Sequence, residues 1–177
     1  MAIEHDETEV QSMDPQERQV FDEQVRTRVI RFGDLIPDWA SYPDTQLPEY
    51  ARGLRMLIGA GSEKVRPDGI RVESENFTLA IVEAAPGCGA ALHAHTTEEV
   101  FMPLKGEWVV YWGPNEDGVP QYEMKLRTWD AVSVPGPVMR GFKNASDEQG
   151  FLLISTGGAT TPVIHHELIL NQVKSKE

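Results

Sequence analysis

Apolar and polar positions follow two regimes along the chain. Up to about residue 26, polar and acidic side chains dominate. The stretch "MDPQERQVFDEQVR" carries the start signals of a short helix near Asp14, with Pro15 at the first helical position. A disordered acidic tail is the alternative over residues 1–26. "VIRFGDL" then predicts a short extended run. The following "IPDWASYPDTQLPEY" holds three prolines and three aromatics. Residues 27–52 therefore read as an arm laid over a barrel or a partner subunit, because bare aromatics would leave an exposed apolar patch.

From Gly53 the pattern changes to short apolar runs punctuated by Gly, Pro, Asn and Asp. "GLRMLIG", "GIRVES", "NFTLAIVEA", "ALHAH", "EVFMPLKG", "EWVVYWG", "YEMKLR", "AVSVP", "MRGFKN" and "GFLLIST" each predict a strand. Helical periodicity is missing from Gly53 to Thr156. Many short strands at this spacing indicate an all-β antiparallel sandwich or barrel. "VIHHELILNQVK" closes the chain as a last strand or a short helix.

Composition narrows the partners. The chain has 177 residues, 40% of them hydrophobic, enough for one well-packed domain of ordinary soluble composition. Lys and Arg number 16 against 28 Asp and Glu, a formal charge of -12, and a phosphate backbone or an anionic membrane would repel such a surface. No nucleic acid and no membrane is the expectation. Cys88 is the single cysteine, so no disulfide forms within the chain. The first residues lack the basic and apolar regions of a secretory signal. Both observations lead to an expected cytoplasmic location.

The chemistry concentrates in "GCGAALHAHTTEEVFMPLKG", Gly87 to Gly106. Side chains alternate along a strand. His93, His95 and Glu99 share parity and are expected on one face, with Glu98 pointing away. Two imidazoles and a carboxylate suit Fe(II) with open coordination positions, and they also serve Zn, Mn or Ni. The plainer alternative is one buried, hydrogen-bonded histidine and one on the surface.

Gly87, His93, His95, Glu99 and Gly106 match G-x5-H-x-H-x3-E-x6-G, the first motif of the cupin superfamily, which this chain resembles from about Gly53 to Thr156. The resemblance implies a jelly-roll-like double-stranded β-helix over residues 53–177 with a metal site inside it. It also implies dioxygenase-like or isomerase-like chemistry on a small anionic or oxygenated substrate. The family's second motif, G-x5-P-x-G-x2-H-x3-N, is met only in part by "WDAVSVPGPVMRGFKN". Pro135 and Asn144 are in register, Trp129 and Pro137 replace the two glycines, and Arg140 stands where the fourth ligand would be.

A guanidinium has no lone pair for a metal. Three readings of Arg140 are open: an anchor for an anionic substrate beside an intact metal site, a partner of Glu99 that replaces the metal in a metal-free binding or acid/base pocket, or a surface residue. Arg140, Phe142 and Asn144 share parity as candidate pocket residues, and Phe101 joins them. Met102, Tyr111, Trp112 and Trp129 read as barrel core. His165 and His166 read as a surface pair, with the alternative that one folds back to complete the site. His5 lies in the acidic tail. Cys88 reads as a small core residue. "PNEDGVPQYE" reads as a solvated hairpin loop without calcium-site spacing. A homodimer is expected, since a barrel of this kind presents a sheet edge or face for a second copy to mask.

Overall fold

The computed structural model describes residues 14–59, 72–74, 76–158 and 162–175. His5 lies outside them. Helix α1, Pro15–Thr27, starts as its sequence signals indicate: the Asp14 carboxylate accepts from the Gln16 N–H at 2.9 Å, which satisfies an otherwise orphan donor. The whole helix is exposed.

The expected extended run at "VIRFGDL" is instead a 3-10 turn at Phe32–Asp34. Aromatic anchoring replaces strand pairing there: Phe32 meets Phe151 edge-on at 5.8 Å and lies under the Arg55 guanidinium at 4.6 Å. Two further 3-10 turns, Pro43–Gln46 and Pro48–Tyr50, use prolines at their first positions, where no N–H is needed.

Among the described residues ten strands follow: β1 Gly53–Ile58, β2 Phe77–Ala84, β3 Gly89–Ala94, β4 Glu99–Lys105, β5 Trp108–Pro114, β6 Pro120–Leu126, β7 Val132–Val134, β8 Arg140–Asn144, β9 Gly150–Gly157 and β10 Ile164–His165. The first half of "GIRVES", residues 69–71, lies outside the described residues, and its Val72 bridges to Ile58. The chain ends in both of the forms considered for it, β10 and then α2, Glu167–Lys174.

The strands form two five-stranded antiparallel sheets, β1-β2-β9-β4-β7 and β10-β3-β8-β5-β6. From β2 onward the chain passes back and forth between the sheets, except at the β5–β6 hairpin, in the jelly-roll path. Alternation sends one face of each strand inward. Val82, Phe101, Trp108, Val110, Phe142 and Leu152 fill the space between the sheets.

β3 is buried on both faces. Its outer face is covered by the arm and α2, through Leu47, Tyr50, Ile169 and Val173 around Ala91. A buried ion pair fastens the arm: Arg52 meets Asp44 through two bonds of 2.9 and 3.0 Å and donates to Gly89 O at 3.0 Å. Asp44 also accepts the Ala91 N–H at 3.0 Å. Burial alone would raise the Asp44 pKa, but Arg52 outweighs it and holds the carboxyl below its usual range. The strand that carries both histidines is thus clamped from outside.

Two substitutions in the second motif leave traces. Trp129, standing for a glycine, keeps a glycine's backbone with φ at 75°, a conformation that bulky residues resist. Its side chain is 72% exposed, so it is not the core residue expected. Gly136, one position ahead of the pattern's second glycine, lets the chain approach Thr96, whose carbonyl oxygen would lie 2.5 Å from an added Cβ.

A candidate metal centre between the sheets

His93 and His95 project from the end of β3, and Glu99 opens β4 on the facing sheet. The intervening "AHTTEE" turn carries the chain across the gap. Gly87 and Gly106, with φ of 77° and 84°, bracket the unit with left-handed turns that favour glycine. A bulge between Ala90 and His93 shifts the strand phase, so Ala90 and both histidines face inward. The Tyr111 hydroxyl donates to Ala90 O at 2.5 Å and secures that bulge. Glu98 is exposed and accepts from the Ser133 hydroxyl, as its parity predicts.

The three side chains converge. His93 Nε2 lies 3.7 Å and His95 Nε2 3.3 Å from the Glu99 carboxylate. One donor atom from each residue falls within 4.8 Å of the others, and all three residues are buried. His93 Nδ1 contacts Ala91 O at 2.8 Å and His95 Nδ1 contacts Pro162 O at 3.0 Å. A carbonyl only accepts, so each Nδ1 carries a hydrogen, and Nε2 is the ring nitrogen that faces Glu99. This arrangement, with the ring oriented by a backbone carbonyl, is the one a metal-binding imidazole uses. The donor set fits a divalent ion. Burial pushes the Glu99 pKa upward, but hydrogen bonds and charge from His93 and His95 outweigh it and hold the carboxyl far below the usual range.

Arg140 begins β8 opposite His93 and is 0% exposed, which rules out the surface reading. Its Nε donates to Glu99 Oε2 at 2.8 Å. One terminal nitrogen donates to Gly136 O and Val138 O at 3.1 and 3.0 Å. The other is buried without a partner. Glu99 and Arg140 form a buried ion pair whose charges cancel.

A cavity of about 50 Å³ adjoins the triad. Leu54, Met56, Val82, Phe142 and Ile154 give it an apolar wall, while Thr78, Thr156, Tyr42 and Arg52 add polar groups. Of the expected pocket residues, Phe142 lines it. Phe101 packs behind Phe142 with ring centroids 5.3 Å apart. Asn144 serves the fold instead: its amide donates to Ala84 O and Glu148 O and accepts from the Ser146 N–H. This corrects its expected place in the pocket, because backbone groups already engage both ends of the amide.

The surface-pair reading of "HH" is corrected for one member. His166 caps α2, accepting from the Leu168 N–H at 3.4 Å. His165 pairs across from His93 in the ladder between β10 and β3, and both its ring nitrogens are buried. Burial pushes its pKa down to about 4, against the pull of Asp44. Cys88 is half-buried against Pro48 O at 3.4 Å, Trp112 stacks on Tyr122 at 5.8 Å, and Met102 is partly buried in β4. Sequence reasoning missed Tyr42 and Arg52, which reach the cavity from the arm and carry no local signal. It also missed Thr156, which the alternation of β9 would have placed inward.

No family model matches the sequence, and no curated protein matches it. Solved structures do. Oxalate decarboxylase of Lactobacillus farciminis, in a formate complex, is 19% identical over 81% of this chain and 37% of its own, with a TM-score of 0.55. An oxalate oxidase is 22% identical over 52% of this chain and 47% of its own, with a TM-score of 0.46. A cupin superfamily protein of Desulfitobacterium hafniense is 15% identical over 49% of this chain and 71% of its own, with a TM-score of 0.41. The chain thus spans less than half the length of the two oxalate enzymes. Two facing antiparallel sheets in jelly-roll order, the superposition on the decarboxylase and the triad held between the sheets lead to one conclusion: this chain has the cupin fold.

Proposed function

We propose that the chain is a metal-dependent enzyme in which His93, His95 and Glu99 hold one divalent ion. Fe(II) is the first choice, with Mn, Ni or Zn as alternatives. The substrate is a small anionic or oxygenated organic molecule, and the chemistry is dioxygenase-like or isomerase-like. The observation that carries this reading is the pair of Nδ1-to-carbonyl hydrogen bonds, which leave both Nε2 atoms facing a buried carboxylate. An ion on three protein ligands keeps open positions and supplies Lewis-acid or, for iron, oxygen-activating chemistry.

The chain's own residues do the rest. Arg140 donates to Glu99 Oε2, near which His93 Nε2 also lies, and leaves Oε1 toward His95, so the carboxylate is held in a fixed orientation. Imidazoles that hold an ion through Nε2 are neutral and Glu99 and Arg140 cancel, so a bound divalent ion would leave a net positive charge that an anionic substrate offsets. Arg140 is the proposed anchor for that anion, through its unpartnered terminal nitrogen. A cavity of about 50 Å³ against the ~10–15 Å³ that one water requires limits the substrate to a few heavy atoms. The apolar wall keeps bulk water from the bound molecule.

Elemental analysis of protein purified without chelators or nickel resin tests the proposal. About one equivalent of Fe, Mn, Ni or Zn per chain is expected in the wild type, and its loss in His93→Ala. A second reading has one observation in its favour: the 2.8 Å ion pair between Arg140 and Glu99 neutralises the carboxylate without any metal. In that case the site is a metal-free binding pocket. Wild type that neither contains metal nor takes up Fe(II) anaerobically would establish it in place of the first.

A further inference from the structure

Among the described residues, two side chains hold buried nitrogens with no hydrogen-bond partner: Arg140 at one terminal nitrogen and the half-buried His165 at both ring nitrogens. Both stand beside the same residue. β3 lies between β8 and β10, with Arg140 opposite His93 on one side and His165 opposite His93 on the other. Directly opposed residues of antiparallel strands project to one face. Arg140, His93 and His165 therefore form a row across the inner face of the sheet, and the triad residue is at its centre.

A buried imidazole that bonds nothing has given up hydration without return, and such groups call for a functional explanation. Distance says which one. His93 and His95 have ring centroids 5.2 Å apart, and their ligand atoms converge with that of Glu99 within 4.8 Å. His165 supplies no atom to that group, yet its ring stands 6.3 Å from His93. It is outside the ligand set and close enough to meet a molecule resting on the ion. Its other ring neighbour is Tyr42, at 6.4 Å, and Tyr42 and His93 both line the cavity. The segment is also fixed in place. Pro162 O receives the His95 Nδ1 hydrogen, and the His166 N–H donates to Leu92 O at 3.0 Å.

We infer that His165 is a substrate-binding residue of this site, donating one ring N–H to the anionic group of the molecule held at the triad. The inference rests on the metal reading above and adds to it a second recognition element that lies outside both cupin motifs. Arg140 approaches the anion from the β8 side and His165 from the β10 side.

The test uses full-length protein loaded with Co(II), whose visible absorption reports what binds to the ion. Azide, a small monoanion that accepts hydrogen bonds, is the probe. Co(II) affinity and azide affinity are measured for wild type, His165→Ala, His165→Gln and His93→Ala, with thermal unfolding as the check on folding. The expected result for His165→Ala is Co(II) affinity within about twofold of wild type and azide affinity weakened about tenfold, the loss of one hydrogen bond to a charged acceptor. His165→Gln keeps a donor and should recover part of that loss. Azide weakened by less than about fivefold in His165→Ala, with Co(II) still bound, overturns this inference alone. Co(II) affinity lowered tenfold or more in both His165 variants overturns it in favour of a direct ligand role. Wild type that binds no Co(II), or binds it equally well after His93→Ala, overturns the metal reading and this inference together.

Discussion

Replacing Arg140 by Met separates what the guanidinium does for the fold from what it does to an ion. Methionine is close in length and leaves the apolar surroundings filled, so charge and hydrogen bonds are the main loss. The side chain is 0% exposed and ends on Glu99 Oε2, Gly136 O and Val138 O. Its removal leaves a buried carboxylate and two carbonyls short of a donor. Breaking a buried ion pair from one side costs about 3–5 kcal/mol. A domain of this size loses about 2–4 °C in Tm per kcal/mol. The metal-free variant should therefore melt roughly 6–20 °C below wild type. Divalent metal should act in the opposite sense. With Arg140 gone, an ion takes the place of the guanidinium beside Glu99, so the same concentration of Zn(II) or Fe(II) should raise Tm more in the variant than in wild type. Arg140→Lys keeps the charge without the fork and should fall between them. Differential scanning fluorimetry of chelated and metal-loaded protein reads both effects. A metal-free Arg140→Met protein melting within 2 °C of wild type would refute the buried-pair reasoning. Equal metal-induced shifts would refute the electrostatic coupling.

The arm clamp predicts an acid limb. The Asp44 pKa lies below its ordinary value in the folded chain, so below about pH 4 the unfolded state binds a proton that the folded state does not. Wild-type stability should fall with pH there, and the stability gap to Asp44→Asn should narrow, as urea titrations from pH 7 to 3 would show. Trp129→Gly relieves a left-handed backbone on an exposed side chain and should stabilise the protein by about 1 kcal/mol; no gain in chemical denaturation would contradict the strain argument. A homodimer is the expected assembly, with half-exposed Trp39 and exposed Ile36 of the arm meeting a second copy. Light scattering that finds a monomer at micromolar concentration would count against it.

Local chemistry made much of this chain legible from sequence. The cap at Asp14, the strand punctuation, the turn glycines Gly87 and Gly106, and the parity of His93 and His95 are all properties of a few neighbouring residues. Backbone sterics and side-chain alternation decide those before any distant contact forms. Glu99 was recoverable because its short turn leaves it little freedom to go elsewhere. The sequence could pose the question of Arg140 but not answer it, since its direction depends on Glu99, 41 residues away in sequence. Only pairing of β8 with β3, with β4 on the facing sheet, brings guanidinium and carboxylate together. His165 is a sharper case. An "HH" dipeptide near a chain end carries no signal of burial, and it was the β10–β3 register that turned one ring inward and left the other to cap a helix. Tyr42 and Arg52 reach the cavity because the arm folds back along β3, a choice made by the Asp44 ion pair and the Leu47 cluster. The sequence by itself determined the strands and the three candidate ligands, because short-range sterics and spacing suffice for those. The tertiary structure alone decided which charges meet, because ion pairs and buried donors depend on which strands become neighbours.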